Sequence, residues 1–124
     1  MLASQTKMRI KISQDFAFAP GPRYIREGLH SGEEFRREML APAVREAIET
    51  KQIVEIDLDG VAGYGRSFLE EAFGGLIRED HIPHESILGA ISIISNEQPS
   101  QRDRIYNYLK TAHEKESQKM ASHT

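Results

Sequence analysis

VEIDLDGVAGYGRSFLEEAFGGLIR, residues 54–78, changes its hydrophobic period partway through, and that change decides the fold. Ile53, Val54, Ile56 and Leu58 make a short run rich in strand-forming side chains. Gly60, Gly63 and Gly65 follow and must turn the chain. From Ser67 the apolar residues fall into helical spacing. At about 100° per residue, Phe68, Leu69, Ala72, Phe73, Leu76 and Ile77 lie on one side. A strand, a tight turn and an amphipathic helix in this order form the first half of an α/β unit.

The other side of that helix carries Ser67, Glu71, Gly74 and Arg78, with Gly75 at its flank. Each mid-helix glycine costs about 1 kcal/mol relative to alanine, so something must offset the pair. One account is tight packing of the helix against another part of its own chain. The other is a docking surface where a partner's backbone, or that of a second copy, comes close. Ser67-Phe68-Leu69-Glu70 has the form of a capping box, which would make Ser67 the helix cap. The same hydroxyl is a candidate phosphorylation site, because a phosphate at a helix start meets free amides and a favourable dipole.

The flanking segments extend the same alternation. Met8, Ile10 and Ile12 alternate with polar residues and predict a strand with one buried face. Pro20-Gly21-Pro22 is loop, and Tyr24 with Ile25 adds a short strand. Ser31 and Glu34 make a capping box for a helix whose inner face is Phe35, Met39, Leu40, Ala43, Val44, Ala47 and Ile48. Pro42 predicts a kink or break near Leu40. Residues 80–85 read as a polar loop, 87–94 as a buried strand, and Pro99 as the start of a last helix with Ile105, Tyr108, Leu109 and Ala112 inside. The expectation is a single α/β domain over residues 1–113, a mixed sheet of about four strands covered by about three helices. The apolar residues run out near Glu114, which predicts a flexible tail over 114–124.

Composition narrows the function classes. The chain has 124 residues, 39% hydrophobic and 28% charged, which supports one buried core in a soluble protein. A net charge of -3 without a basic stripe argues against a dedicated nucleic-acid binder. The chain has no cysteine, which removes disulfides, thiolate metal sites and cysteine nucleophiles. No apolar run approaches the roughly 20 residues of a membrane span. Residues 1–12 lack a signal-peptide core, so a cytoplasmic location is expected.

Several constellations are weaker. Asp57 and Asp59 share a strand face, as a metal-binding pair would, yet Asp59-Gly60 is also a common turn composition. His81 and His84 supply two of the three or four ligands a zinc site needs. Gly60, Gly63 and Gly65 match neither the dinucleotide fingerprint nor the P-loop. Nothing in the sequence demands an enzyme or a cofactor.

Residues 53–61, Ile-Val-Glu-Ile-Asp-Leu-Asp-Gly-Val, resemble the strand of STAS domains, the fold of bacterial anti-sigma factor antagonists. Residues 63–76, Gly-Tyr-Gly-Arg-Ser-Phe-Leu-Glu-Glu-Ala-Phe-Gly-Gly-Leu, resemble more specifically the STAS-like family of unknown function. Gly21-Pro22-Arg23-Tyr24 and Ser31-Gly32-Glu33-Glu34-Phe35-Arg36 are similar to it as well, so the likeness spans residues 10–112. The resemblance implies a non-catalytic regulatory module. In the antagonists a serine at the start of the corresponding helix is phosphorylated by a kinase that is also the anti-sigma factor. Aligning Asp57 and Val61 brings Ser67 onto that serine. The implied partner is a histidine-kinase-like ATPase or a serine kinase. The implied docking surface is Gly63, Tyr64, Gly65 and Arg66 with Glu71, Gly74, Gly75 and Arg78. Two other readings stand beside it: a homo-oligomeric subunit joined through the glycine face, and a small-molecule or nucleotide binder at the strand ends near Asp57, Asp59 and Tyr64.

Overall fold

The computed structural model describes residues 8–122. The first seven residues, most of the stretch read as lacking a signal-peptide core, and the last two of the expected tail lie outside the described residues.

Three strands form one parallel sheet in the order β1-β2-β3: β1 (Arg9–Lys11), β2 (Val54–Asp57) and β3 (Ile91–Ile94). Among the described residues there are thus three strands, all parallel, where the sequence predicts about four in a mixed sheet. The missing strand is at Tyr24–Ile25. Glu27 accepts the Tyr24 amide at 3.0 Å and the chain closes into a 3-10 turn at Ile25–Glu27, so that amide is used locally instead of on a ladder. Strand β3 is also shorter than predicted. Ile87 belongs to a short helix, His84–Leu88, entered from Pro83 and closed at Gly89.

Between β1 and β2 runs helix α1, continuous through Gly32–Phe35, a π-helical segment Arg36–Leu40, and Ala41–Thr50. Ser31 caps it by accepting the Glu34 amide at 3.0 Å. The wide π turn sits where Pro42, which has no N–H to give, interrupts the bonding, so the predicted break near Leu40 is a widened turn. Helix α2, between β2 and β3, likewise joins Arg66–Leu69, a π segment Glu70–Gly74, and Gly75–Arg78. The helix at His84–Leu88 is α3. The last helix, α4 (Ser100–Ser122), starts just after Pro99 and stays helical past Glu114, where the sequence predicts a tail. His113 stacks on His84 and Glu116 pairs with Lys119, contacts that the loss of apolar residues does not reveal.

Steps in one direction through right-handed crossovers place successive helices on one face of a sheet. The burial pattern agrees. Ile10, Ile56 and Ile93 form a row across the three strands and are all buried against the helices. The opposite face carries Arg9 bonded to Glu55 at 3.1 Å and to Asp57 at 2.9 Å. In the helical layer Phe35 and Phe68 stack with centroids 5.8 Å apart, joining α1 to α2, and Ile105 and Leu109 of α4 are fully buried.

Candidate functional site

The turn after β2 is anchored on both sides. Asp57 accepts the Asp59 amide at 2.9 Å while its other oxygen faces Arg9 and Lys11. Asp59 accepts the amides of Glu97 at 2.9 Å and Asn96 at 3.2 Å, and the Asn96 side chain at 3.1 Å. The Glu97 amide, aided by Asn96, holds the Asp59 carboxyl below its usual range. Gly60 has φ 91° and lies against Ser13, a conformation and a space that suit no side chain. Tyr64 reaches back and donates its hydroxyl to the Leu58 carbonyl at 3.0 Å. Burial, then the charges of Asp57, Asp59 and Glu97, push the Tyr64 phenol upward, which keeps it a donor. The two aspartates therefore fasten the turn, the role their Asp-Gly context predicts.

The cavity at these strand ends, lined by Leu58, Tyr64, Ser95 and Gln101 among others, has a volume of ≈ 20 Å³. That is room for about one water, against roughly 300–1,000 Å³ for sites that take drug-sized ligands. Among the described residues no three His, Cys, Asp or Glu side chains are gathered to hold a metal ion.

Beyond Tyr64 the turn opens to solvent. A methyl group added at Gly63 or Gly65 would meet nothing within 4 Å. Gly65 is the residue that caps α2, with φ -77° and ψ 148°, and no side chain bonds the helix start. The capping-box reading of Ser67 is thereby corrected. The helix begins two residues earlier than that reading requires, so Ser67 is its second residue and its hydroxyl is exposed. Arg66 beside it is exposed as well.

The outer stripe needs the opposite correction. Glu71, Gly74 and Gly75 are buried, and Arg78 is half-buried. Helix α2 touches α1 and α4, so the side of the wheel away from the apolar residues is covered by the protein itself. Gly75 leaves room for Arg36 of α1: a methyl there would stand 2.5 Å from Arg36 Nε and 2.7 Å from its Cδ. Gly74 lets Glu70 and Arg78 meet across the helix surface. The glycine pair thus serves packing within the chain, and the face is not available to a second copy.

That buried side holds an ionic cluster that the sequence reading misses. Arg36, 4% exposed, donates to Glu71 at 3.2 Å and to Asp80 at 2.8 Å. Arg78 bonds Glu70 at 2.9 Å and Glu71 at 3.1 Å. Arg23, from the loop before α1, bonds Glu70 and lies 3.6 Å from Glu71. Burial alone would raise the Glu70 carboxyl, but the hydrogen bonds from Arg78 and Arg23 outweigh it and hold the group below its usual range. The available signal was Arg36 itself, placed between Phe35 and Leu40 at the inner edge of α1. The facing π segments of α1 and α2 carry Arg36 and Glu71, and the widened turns aim both side chains into the helix interface. Away from this cluster His84 and His113 stack at 4.8 Å beside His81, in an open groove of ≈ 640 Å³ between α3 and α4.

Among the described residues no helix is long and apolar enough to cross a membrane. No curated protein and no solved structure matches the chain. Residues 31–101 match the family described as STAS-like domain of unknown function (DUF4325), a span that includes α1, β2, α2 and β3. That span is more than half of the chain, and the protein belongs to this STAS-like family.

Proposed function

We propose that this protein is a non-catalytic regulatory module that docks a partner protein through the turn at residues 61–67, and that phosphorylation of Ser67 switches the docking. The observation that carries the reading is the exposed Ser67 hydroxyl, left out of the helix cap and set beside two glycines with open space around them. Glycines without a packing role there let another backbone approach closely. The turn is rigidly held from behind by Asp59, Glu97 and Tyr64, so a partner meets a preorganised surface and loses little ordering entropy. The surface is smaller than the full stripe, since Glu71, Gly74 and Gly75 face inward; Gly63, Gly65, Arg66 and Ser67 remain.

The partner this reading calls for is a kinase of the histidine-kinase-like ATPase or serine kinase class. The γ-phosphoryl of a nucleoside triphosphate moves to Ser67 Oγ, the hydroxyl proton goes to the kinase's base, and a nucleoside diphosphate leaves. About two negative charges then stand on the docking surface. Peptide mass spectrometry of the protein isolated from its native host is expected to find a phosphate on Ser67. A serine that stays unmodified across growth conditions would remove the switch from the proposal.

A further inference from the structure

We propose that Arg23 is the intramolecular receptor for a phosphate on Ser67, and that Glu70 holds Arg23 in place until the phosphate arrives. This rests on the reading of Ser67 as the modified residue. Glu70 and Glu71 stand three and four residues after Ser67 on the same helix, about 5–6 Å away between Cβ atoms. Arg23 is bonded to Glu70 and close to Glu71, so its guanidinium lies over the helix surface one turn from the Ser67 hydroxyl.

Its backbone is placed for the same reach. The Arg23 carbonyl accepts the Glu33 amide at 2.9 Å, and the Pro22 carbonyl accepts the Gly32 amide at 2.9 Å. Gly32 in turn packs directly on the backbone of Phe68, the residue after Ser67. The loop carrying Arg23 is thus tied to the start of α1, and the start of α1 is pressed against the start of α2.

The arginines buried on α1, further along α2 and beside Ser67 are unsuited. Arg36 is buried on Glu71 and Asp80. Arg78 lies about three turns down the helix and is held by two carboxylates. Arg66 is adjacent in sequence, and neighbouring side chains on a helix point apart. Arg23 is 27% exposed and already paired, so it can exchange partners without leaving the surface. A phosphate one turn from Glu70 and Glu71 repels both, and a guanidinium shared between phosphate and carboxylate relieves that repulsion through charge-assisted bonds. Glu70 keeps Arg78 throughout.

The consequence is mechanical. The Arg23 loop also presents the exposed side chains of Phe18, Ile25 and Leu29, and the Phe18 carbonyl accepts the Ala62 amide of the docking turn at 2.9 Å. Phosphorylation would draw this loop toward the turn as well as charging it.

The test uses full-length protein carrying phosphoserine at position 67, installed by semisynthesis, so it does not depend on whether the host modifies the residue. The phosphate's second pKa is followed by 31P NMR titration in the folded protein and in urea. From an ordinary value of about 6, it is expected to fall by about one unit in the folded protein. Arg23→Gln should return it to the unfolded value, Arg66→Gln should leave it lowered, and Glu70→Gln should lower it further by freeing Arg23. A pKa unchanged by Arg23→Gln in a protein that still melts cooperatively, or restored by Arg66→Gln, overturns the assignment. An unmodified Ser67 in the host alongside a positive titration would instead remove the functional reading and leave the receptor chemistry standing.

Discussion

Replacing Arg36 by alanine is expected to destabilise the protein by about 3–5 kcal/mol, the cost of removing one partner of a buried ion pair. The reason is the state in which Glu71 and Asp80 are left. Glu71 is 2% exposed and would keep only Arg78 and the more distant Arg23. Asp80 would keep, among the described residues, a 4.0 Å contact with Arg45. A cavity would open as well, because the Arg36 stem fills the space above Gly75. Against a total stability of about 5–15 kcal/mol, that loss brings the folded state close to the edge. Urea denaturation of the variant measures it directly. The double replacement Arg36→Met with Glu71→Leu should cost less than Arg36→Ala alone, since it removes both buried charges together. A loss below about 1 kcal/mol for Arg36→Ala would show that the pair is solvated and would contradict the internal packing of α2.

A glycine series gives the second large effect and separates packing glycines from open ones. Gly32→Ala should cost about 2–3 kcal/mol, because the new methyl would press into the Phe68 carbonyl, which is backbone and cannot swing aside. Gly75→Ala should follow, since its obstacle is the middle of the Arg36 side chain, itself buried. At Gly74 the obstacle is the carboxylate end of Glu70, which can move, and the gain in helix propensity offsets the disturbance. Gly65→Ala should leave the melting temperature within about a degree of the parent, because the site is open and its backbone is ordinary extended chain. Thermal melts of the four variants rank them. Equal effects at Gly32 and Gly65 would mean that the two helix starts do not touch.

Much of this architecture is legible in the residue pattern alone. The alternation of Met8, Ile10 and Ile12, the run through Leu58, and the inner faces of α1 and α2 each follow a single period, and single-period signals survive folding. The Ser31 cap is equally local. The misreadings concern features whose meaning depends on a distant partner. A helical wheel divides residues into an apolar side and the rest, and it equates the rest with solvent. Helix α2 is enclosed on several sides, so Glu71 and the glycine pair are polar or small and still internal. Glu71 is neutralised by Arg36, which is 35 residues away in sequence, and no local pattern announces that pairing. Ser67 is a subtler case. It has the capping-box spacing, but the helix starts at Arg66 and uses Gly65 as its cap, which takes the serine out of a structural role and leaves its hydroxyl on the surface. At the proposed site, then, the residue pattern indicates the right turn and the wrong extent.

The open turn, and not the glycine face, is where the partner is proposed to meet this protein. The most direct measurement is quantitative affinity capture from native-host extract with three baits: the parent, Gly65→Arg, and Arg104→Glu on the exposed surface of α4. An ATPase or kinase bound by the parent is expected to be lost at least about tenfold, or 1.4 kcal/mol, with Gly65→Arg and retained with Arg104→Glu. Equal recovery of that partner by the parent and Gly65→Arg would contradict docking at the turn.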